Sequence, residues 1–395
     1  MRILISGMGL ITSIGNNVEE NLTSLINGRC GITTVEGIGN MRKPFFGGQV
    51  KLTSNQLKET LGVQDVNDLH RSTILGLMAA KEAWGNSVDD PAIRTGVING
   101  TTVGGINLSD FVLDIFKKKD PTETIDYLYT HDNTFGTYFI SNQLNISGYK
   151  ATISTACSSA ANSIMLGARL IRANILDRVL VGGSEAITNY IMNGFDSLML
   201  YSEQKCRPFD ETRNGLNLGE AGCFMVLESE KSMEFSRSKK IAELIGWGNA
   251  CDAFHQTASS PTGEGAVLAI QQALAIANIP ATEIDYINTH GTGTPNNDLS
   301  ESAAMKTIFN NKVPPFSSTK SYIGHTLAAA GGVEAIYSVL ALKNNLIFPN
   351  LNYEHPMKEY DFHPESKLIK HLPIQKVLSS SFGFGGNCTE LIFSE

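Results

Sequence analysis

Strand-like and helix-like segments alternate along the whole chain, and that alternation limits the possible folds more than any other feature. Residues 2–6 read as a strand and 74–84 as a helix. Residues 95–99 form a strand running into a Thr/Gly loop that ends at Gly105. Residues 151–154 are a short strand. The segment 158–175 then carries apolar side chains at 161, 164, 165, 168, 171 and 175, the spacing of one helical face. Residues 178–181 are the next strand. Charge density rises over 228–240 and a second cycle begins: strand 241–247, helix 265–278, strand 284–288, helix 299–308, strand 316–318, helix 327–342. The tail, 377–393, reads strand, glycine turn, strand. Strands that alternate with helices build βαβ units and place the chain in the α/β class. The halves meet near residue 235, so 1–235 and 236–395 are the expected units. No Pro- or Ser-rich linker separates them, and they are expected to pack as one body around a shared core.

Composition excludes several classes. The 395 residues are 42% apolar and 18% charged, too ordinary for a disordered, collagen-like or coiled-coil chain. A net charge of −8 argues against broad attraction to nucleic acid or anionic lipid. The six cysteines lie far apart without C-x-x-C spacing, which suggests reduced thiols and a cytoplasmic setting. The opening Met1-Arg-Ile-Leu-Ile reads as a first strand, not a signal peptide. No run of 18 apolar residues offers a membrane span.

Four glycine-rich places could carry chemistry. Gly7-Met-Gly9 lacks the third glycine of a dinucleotide motif, since position 12 is Thr, and it reads as a tight exit from the first strand. Ser154-Thr-Ala-Cys157-Ser-Ser-Ala160 puts a thiol between a strand and a helix N-terminus, where unpaired amides and the helix dipole favour thiolate. Placement alone leaves nucleophile and buried structural thiol equally open. Asn288-Thr-His290-Gly-Thr-Gly-Thr294 sets a histidine at a strand's carboxyl end, where α/β sheets bind ligands. Ser318-Thr-Lys320-Ser-Tyr-Ile-Gly-His325 repeats the arrangement. Glu334, nine residues on in an otherwise apolar helix, wants a partner, and Lys320 is the candidate; the alternative is a solvated face. The two histidines have no metal-ligand spacing, so no metal is expected. Gly182-Gly-Ser-Glu-Ala186 falls short of the G-x-S-x-G of serine hydrolases.

Taken in order, Cys157, His290 and His325, with Arg207-Pro-Phe-Asp210, Gly219-Glu-Ala-Gly222 and Ser381-Phe-Gly-Phe384-Gly-Gly-Asn387, resemble the elongating β-ketoacyl-[acyl-carrier-protein] synthases. These are type II condensing enzymes of the thiolase-like superfamily, and the likeness runs over essentially the whole chain. It implies an α/β, thiolase-like fold: two similar βαβ-type halves packed as a five-layer α-β-α-β-α body. It implies a 3-oxoacyl product, made by decarboxylative condensation of malonyl-carrier protein with an acyl chain on Cys157. It assigns oxyanion donors to the N–H groups of Cys157 and Phe384, and enolate stabilisation to His290 and His325. Lys320, held by Glu334, would keep His325 in order. Thr292 and Thr294 would bond the pantetheine arm, Phe384 would gate the pocket and Phe195 would line the acyl site. The resemblance implies no cofactor, acyl carrier protein as partner, and a homodimer. The alternative is the active subunit of a heterodimeric polyene or polyketide system. A catalytically silent partner subunit is argued against by Cys157, and a NAD-linked oxidoreductase by the incomplete glycine motif. The Lys320–His325 segment argues against thiolases and chain-initiating synthases.

An acidic carrier protein wants a basic docking surface. Where relatives cluster basic side chains, around 60–75, only His70 and Arg71 occur. Lys117-Lys-Lys119, Arg42, Lys43, Lys205 and Arg207 are the substitutes.

Overall fold

The fold was analysed in a computed structural model, which describes residues 1–36, 38, 44–64, 69–85, 91–105, 130–310 and 312–395. In the first half five strands form one sheet: β1 (Leu4–Ile11), β2 (Thr95–Gly100), β3 (Tyr149–Ile153), β4 (Arg178–Glu185) and β5 (Ala221–Glu228). Their order is β3-β2-β4-β5-β1. The second half supplies β6 (Ala242–Cys251), β7 (Tyr286–Asn288), β8 (Phe316–Ser317), β9 (Lys376–Gly383) and β10 (Asn387–Ser394), in the order β8-β7-β9-β10-β6. Numbered within each half, both sheets run 3-2-4-5-1. The first three strands of each order are parallel, and the last two pairings are antiparallel. A short pairing of β1 with β6, Leu4 to Glu243 and Ile5 to Ala242, joins them into one sheet of ten strands.

Helices fill the layers. Helix α1 (Arg71–Trp84) covers the outer face of the first sheet, against β1, β4 and β5. Helices α2 (Ser159–Arg172), α3 (Asn189–Ser197), α4 (Glu264–Ala277), α5 (Pro295–Phe309), α6 (Lys320–Ile323) and α7 (Ala330–Asn344) follow in order. Of these, α4 lies on the outer face of the second sheet with α5 against it, while α2 and α7 pack on each other between the two sheets. The order helix, sheet, helix, sheet, helix gives the five expected layers. A middle helix has no solvent face, and every residue of α7 from Ala330 to Leu342 is buried. One apolar core runs through both halves, bringing Ile164 and Ala168 of α2 together with Val333 and Tyr337 of α7.

One sequence expectation fails here. Gly7-Met-Gly9 is not a strand exit, because β1 continues through it to Ile11. The glycines serve packing: a Cβ at Gly7 or Gly9 would run into the carbonyls of Ala83 or Ala79 in α1. Removing two side chains lets the helix lie directly on the strand.

Candidate active site

The site residues come from the carboxyl ends of equivalent strands. Cys157 follows β3, third strand of the first half, and opens α2. Lys320 and His325 follow β8, third strand of the second half, and lead into α7. His290 follows β7, and the β9–β10 turn supplies Phe384. Ala156 enters the nucleophile turn with φ of +51°, a left-handed backbone unusual for alanine. The turn is held from several sides. Ser159 Oγ donates to Ala156 O at 2.6 Å, and Thr155 N donates to Ser159 Oγ at 2.9 Å. Ser158 Oγ reaches Asn387 Oδ1 at 2.7 Å and Ser381 Oγ reaches Cys157 O at 3.3 Å, which ties the elbow to the C-terminal hairpin. Such over-determination is what allows a strained turn to persist at a reactive residue.

Cys157 is 6% exposed. Burial pushes its thiol up to about 11, against the pull of the Lys320 charge and of the Phe384 and Cys157 N–H groups. This corrects the expectation of a thiolate. The helix end is present, but loss of water outweighs it, and the resting sulfur is a neutral thiol. Both amides expected to serve as oxyanion donors act to lower that thiol, which places them near the sulfur.

The histidine rings stand 5.3 Å apart, edge to face. Lys320 Nζ donates to Glu334 Oε1, to His290 O at 2.5 Å and to His290 Nδ1 at 3.2 Å, which uses all three of its donors. The direct contact of Lys320 is therefore with His290, not with His325 as the resemblance implied. His325 Nδ1 accepts from Leu327 N at 3.0 Å. With each Nδ1 an acceptor, each proton sits on Nε2, and both rings offer an N–H. Burial and then the Lys320 charge hold both imidazoles well below their usual titration, so both are neutral.

Two cavities meet at Cys157. One, of about 260 Å³, is lined by His290, His325, Thr292, Thr294, Asn296 and Asn297 among others. Thr292 and Thr294 share a 2.8 Å hydroxyl contact there. The other, of about 250 Å³, is walled by Val103, Tyr190, Ile191, Leu198 and Leu327. Phe195 and Phe384 line both and stack at 5.7 Å between them. Among the described residues, no group of three or more His, Cys, Asp or Glu is placed to hold a metal.

Sequence reasoning missed three contributors. Glu301 accepts from His290 N at 2.7 Å and Gly291 N at 2.8 Å, clamping the histidine loop. Glu185, passed over within the failed hydrolase motif, accepts from Thr102 N at 2.8 Å and Val103 N at 3.3 Å beneath the apolar cavity. Ala156 gave no local signal, because its conformation is imposed by the packing around it. The docking expectation also changes. Arg71 is spent on Glu220 in a fork of 2.6–3.0 Å, and His70 is buried with its Nε2 at 2.6 Å from Thr130 O. Neither offers a surface charge. Lys205 is exposed, and Arg207 lies 3.4 Å from Glu354. Arg42, Lys43 and Lys117–Lys119 lie outside the described residues.

A buried cysteine beside two neutral histidines, on a doubled five-stranded unit, fits a condensing enzyme. The chain belongs to the β-ketoacyl synthase family: residues 1–232 match its N-terminal domain and 241–354 its C-terminal domain. It is 32% identical to 3-oxoacyl-[acyl-carrier-protein] synthase 2 of Staphylococcus aureus (strain N315) over 412 residues, covering 100% of this chain and 98% of that protein. The corresponding Vibrio harveyi enzyme is 31% identical with the same coverage. Among solved structures, the ishigamide ketosynthase/chain length factor matches with a TM-score of 0.90 and 27% identity. The ketosynthase ApeO, solved with its chain length factor ApeC from Xenorhabdus doucetiae, matches with 0.85 and 31%. Each covers 100% of this chain and 98% of its own.

Proposed function

We propose that this chain joins a malonyl unit, carried on acyl carrier protein, to an acyl chain held on Cys157. The carrying observation is the meeting of two differently lined cavities at one sulfur, under two N–H donors that stay neutral. Cys157 attacks the acyl thioester, and its proton leaves with the carrier's thiol. The acyl chain lies in the apolar cavity, and its carbonyl oxygen takes the amides of Cys157 and Phe384. Malonyl-carrier protein then enters through the polar cavity, its pantetheine arm against Thr292 and Thr294. As CO2 departs, His290 and His325 donate Nε2–H to the enolate oxygen. The enolate carbon bonds the acyl carbon and expels the Cys157 thiolate. Burial, which raises that thiol, favours its reprotonation. No cofactor enters this scheme, and we place it in the cytoplasm; among the described residues no helix is long and apolar enough to cross a membrane.

Incubation with acyl-carrier protein should add one acyl mass to Cys157 and none to the other five cysteines. Labelling elsewhere, or none across several chain lengths, sinks the proposal. The neutral histidines give a second test. Condensation should run through pH 6.5 without an inflection, because both rings titrate well below it. Rates of the malonyl half-reaction between pH 5.5 and 7.5 decide this, and a break at the ordinary imidazole value refutes neutral donors.

For assembly, we propose a dimer closed over the edge of β3, which is unpaired among the described residues, and the rim of the apolar cavity, where Tyr149, Tyr190 and Leu198 are exposed. We read that dimer as a homodimer, with a second, different subunit in a specialised pathway as the alternative that the ishigamide and ApeO structures, each titled with a chain length factor, support.

A further inference from the structure

The two amides expected to serve the oxyanion come from the two halves of the chain, Cys157 N from the nucleophile turn and Phe384 N from the β9–β10 turn. Such donors act by being held in place before the charge develops, so one turn must be tied to the other. Both feet of the β9–β10 turn stand on the nucleophile turn. Gly383 and Asn387 face each other as the last pair of the hairpin. Gly383 lies so close that a Cβ there would come within 2.7 Å of Thr155 O and 3.3 Å of Cys157 N. Asn387 makes the second contact through its side chain. Its Oδ1 lies 2.7 Å from Ser158 Oγ, 2.9 Å from Asn162 Nδ2 and 3.0 Å from Asn249 Nδ2. Beyond Phe384 the tip is built of Gly385 and Gly386, with φ of +83° and +84°, a backbone that only glycine adopts readily.

The remaining members close the cluster on itself. Asn162, in the first turn of α2, donates to Thr155 Oγ1 at 2.9 Å. Its Oδ1 accepts from Asn249 Nδ2 at 3.1 Å and Thr389 Oγ1 at 3.0 Å. Asn249 and Thr389 are strand partners on β6 and β10. The nucleophile turn, β6 and the C-terminal hairpin thus meet in one set of polar side chains, and none of the three asparagines has a buried amide atom without a partner. A polar network satisfied in this way stiffens the elements it joins. Asn162, Asn249 and Asn387 line neither of the two cavities at Cys157. They stand behind the reacting centre and touch no substrate.

We propose that Asn387 is a positioning residue for the oxyanion: with Asn162 and Asn249 it pins the foot of the glycine turn to the nucleophile turn, so that the Cys157 and Phe384 N–H groups keep one spacing through acylation and condensation alike. This role rests on the condensation reading, in which both half-reactions pass through an oxyanion at the acyl carbon; the tie itself does not.

Asn387→Ala removes the shared acceptor from a half-buried position. The kcat of acylation and of condensation should each fall at least about tenfold with KM within about twofold, because a displaced donor loses transition-state bonding and leaves ground-state binding alone. Release of CO2 from malonyl-carrier protein draws on the histidines alone, so Cys157→Ala and Cys157→Ala/Asn387→Ala should release it at rates within about twofold of each other. Acylation at the wild-type rate, or a raised KM at unchanged kcat, overturns the positioning role. So does a matching loss of CO2 release, which means general damage. Ser158→Ala cuts the same contact from the other side and should reproduce the pattern. The double variant Asn387→Ala/Ser158→Ala should then lie within about threefold of the slower single, since the two changes break one link; multiplied losses overturn that link. Hydrogen exchange reads the tie without substrate: amides of 155–159 and of 383–387 should both exchange at least about fivefold faster in Asn387→Ala. Faster exchange confined to 383–387, or absent from both, overturns the tie. A wild type that never acylates Cys157 defeats the condensation reading instead, and the exchange comparison still decides the tie.

Discussion

Cys157→Ala should abolish both acylation and 3-oxoacyl product, whereas His290→Ala should abolish only the second. The difference follows from where the groups sit. The sulfur lies beside the amides of Cys157 and Phe384, and in the proposed reaction that cluster serves the acyl carbonyl. The histidines line the polar cavity, through which the proposed reaction brings in the malonyl unit. Removing one donor to a developing oxyanion costs roughly 10²–10³ in rate in comparable sites. A loss of that size is expected for His290→Ala in condensation, with acyl-Cys157 still appearing in the mass spectrum at near wild-type speed. Cys157→Ala leaves both histidines in place, so CO2 should still be released from malonyl-carrier protein without a condensed product. Rapid-quench mass spectrometry with labelled malonyl carrier measures all three events on one sample. If His290→Ala slows acylation as much as condensation, the division of labour between the cavities is wrong.

Much of this site is written in local sequence, because its side chains sit at the ends of strands that punctuation makes visible. A small-residue run brackets Cys157, and Gly-Thr-Gly-Thr follows His290. Those signals survive without a structure because a turn at a strand end must be built from residues that tolerate it. The partner of Glu334 was legible for the same kind of reason, since a carboxylate in an apolar helix must be neutralised. What stayed hidden depends on distance in the chain. Lys320 meets His290 across 30 residues, so its contact could not be told from one to His325, its near neighbour. The balance between helix dipole and burial at Cys157 is set by how deeply the elbow lies under the C-terminal hairpin. The glycines of β1 misled for a further reason. In isolation Gly-Met-Gly marks a turn, and only the helix lying on it shows that the missing side chains make room.

The buried Lys320–Glu334 pair should separate stability from catalysis. Lys320→Met strands Glu334 in a helix without a solvent face, and such a loss costs about 3–5 kcal/mol. Protonation of Glu334, already favoured by burial, softens the cost but leaves its oxygens short of partners. A large fall in thermal midpoint is therefore expected for Lys320→Met. The double change Lys320→Met/Glu334→Leu replaces both charges with apolar volume, and it should recover most of that midpoint, since buried pairs are often neutral or worse against well-packed hydrophobic replacements. Condensation should not return with it. Without Lys320, His290 Nδ1 has no donor to hold it as an acceptor, so the ring is free to move its proton off Nε2 and away from the enolate. The double variant should thus fold like the wild type, acylate Cys157, and condense roughly 10²-fold more slowly, the scale set by loss of one oxyanion donor. A double variant that stays as fragile as the single one means that the pair holds the fold. One that condenses normally means that His290 keeps its tautomer without Lys320, and the lysine's place at the site is then electrostatic alone.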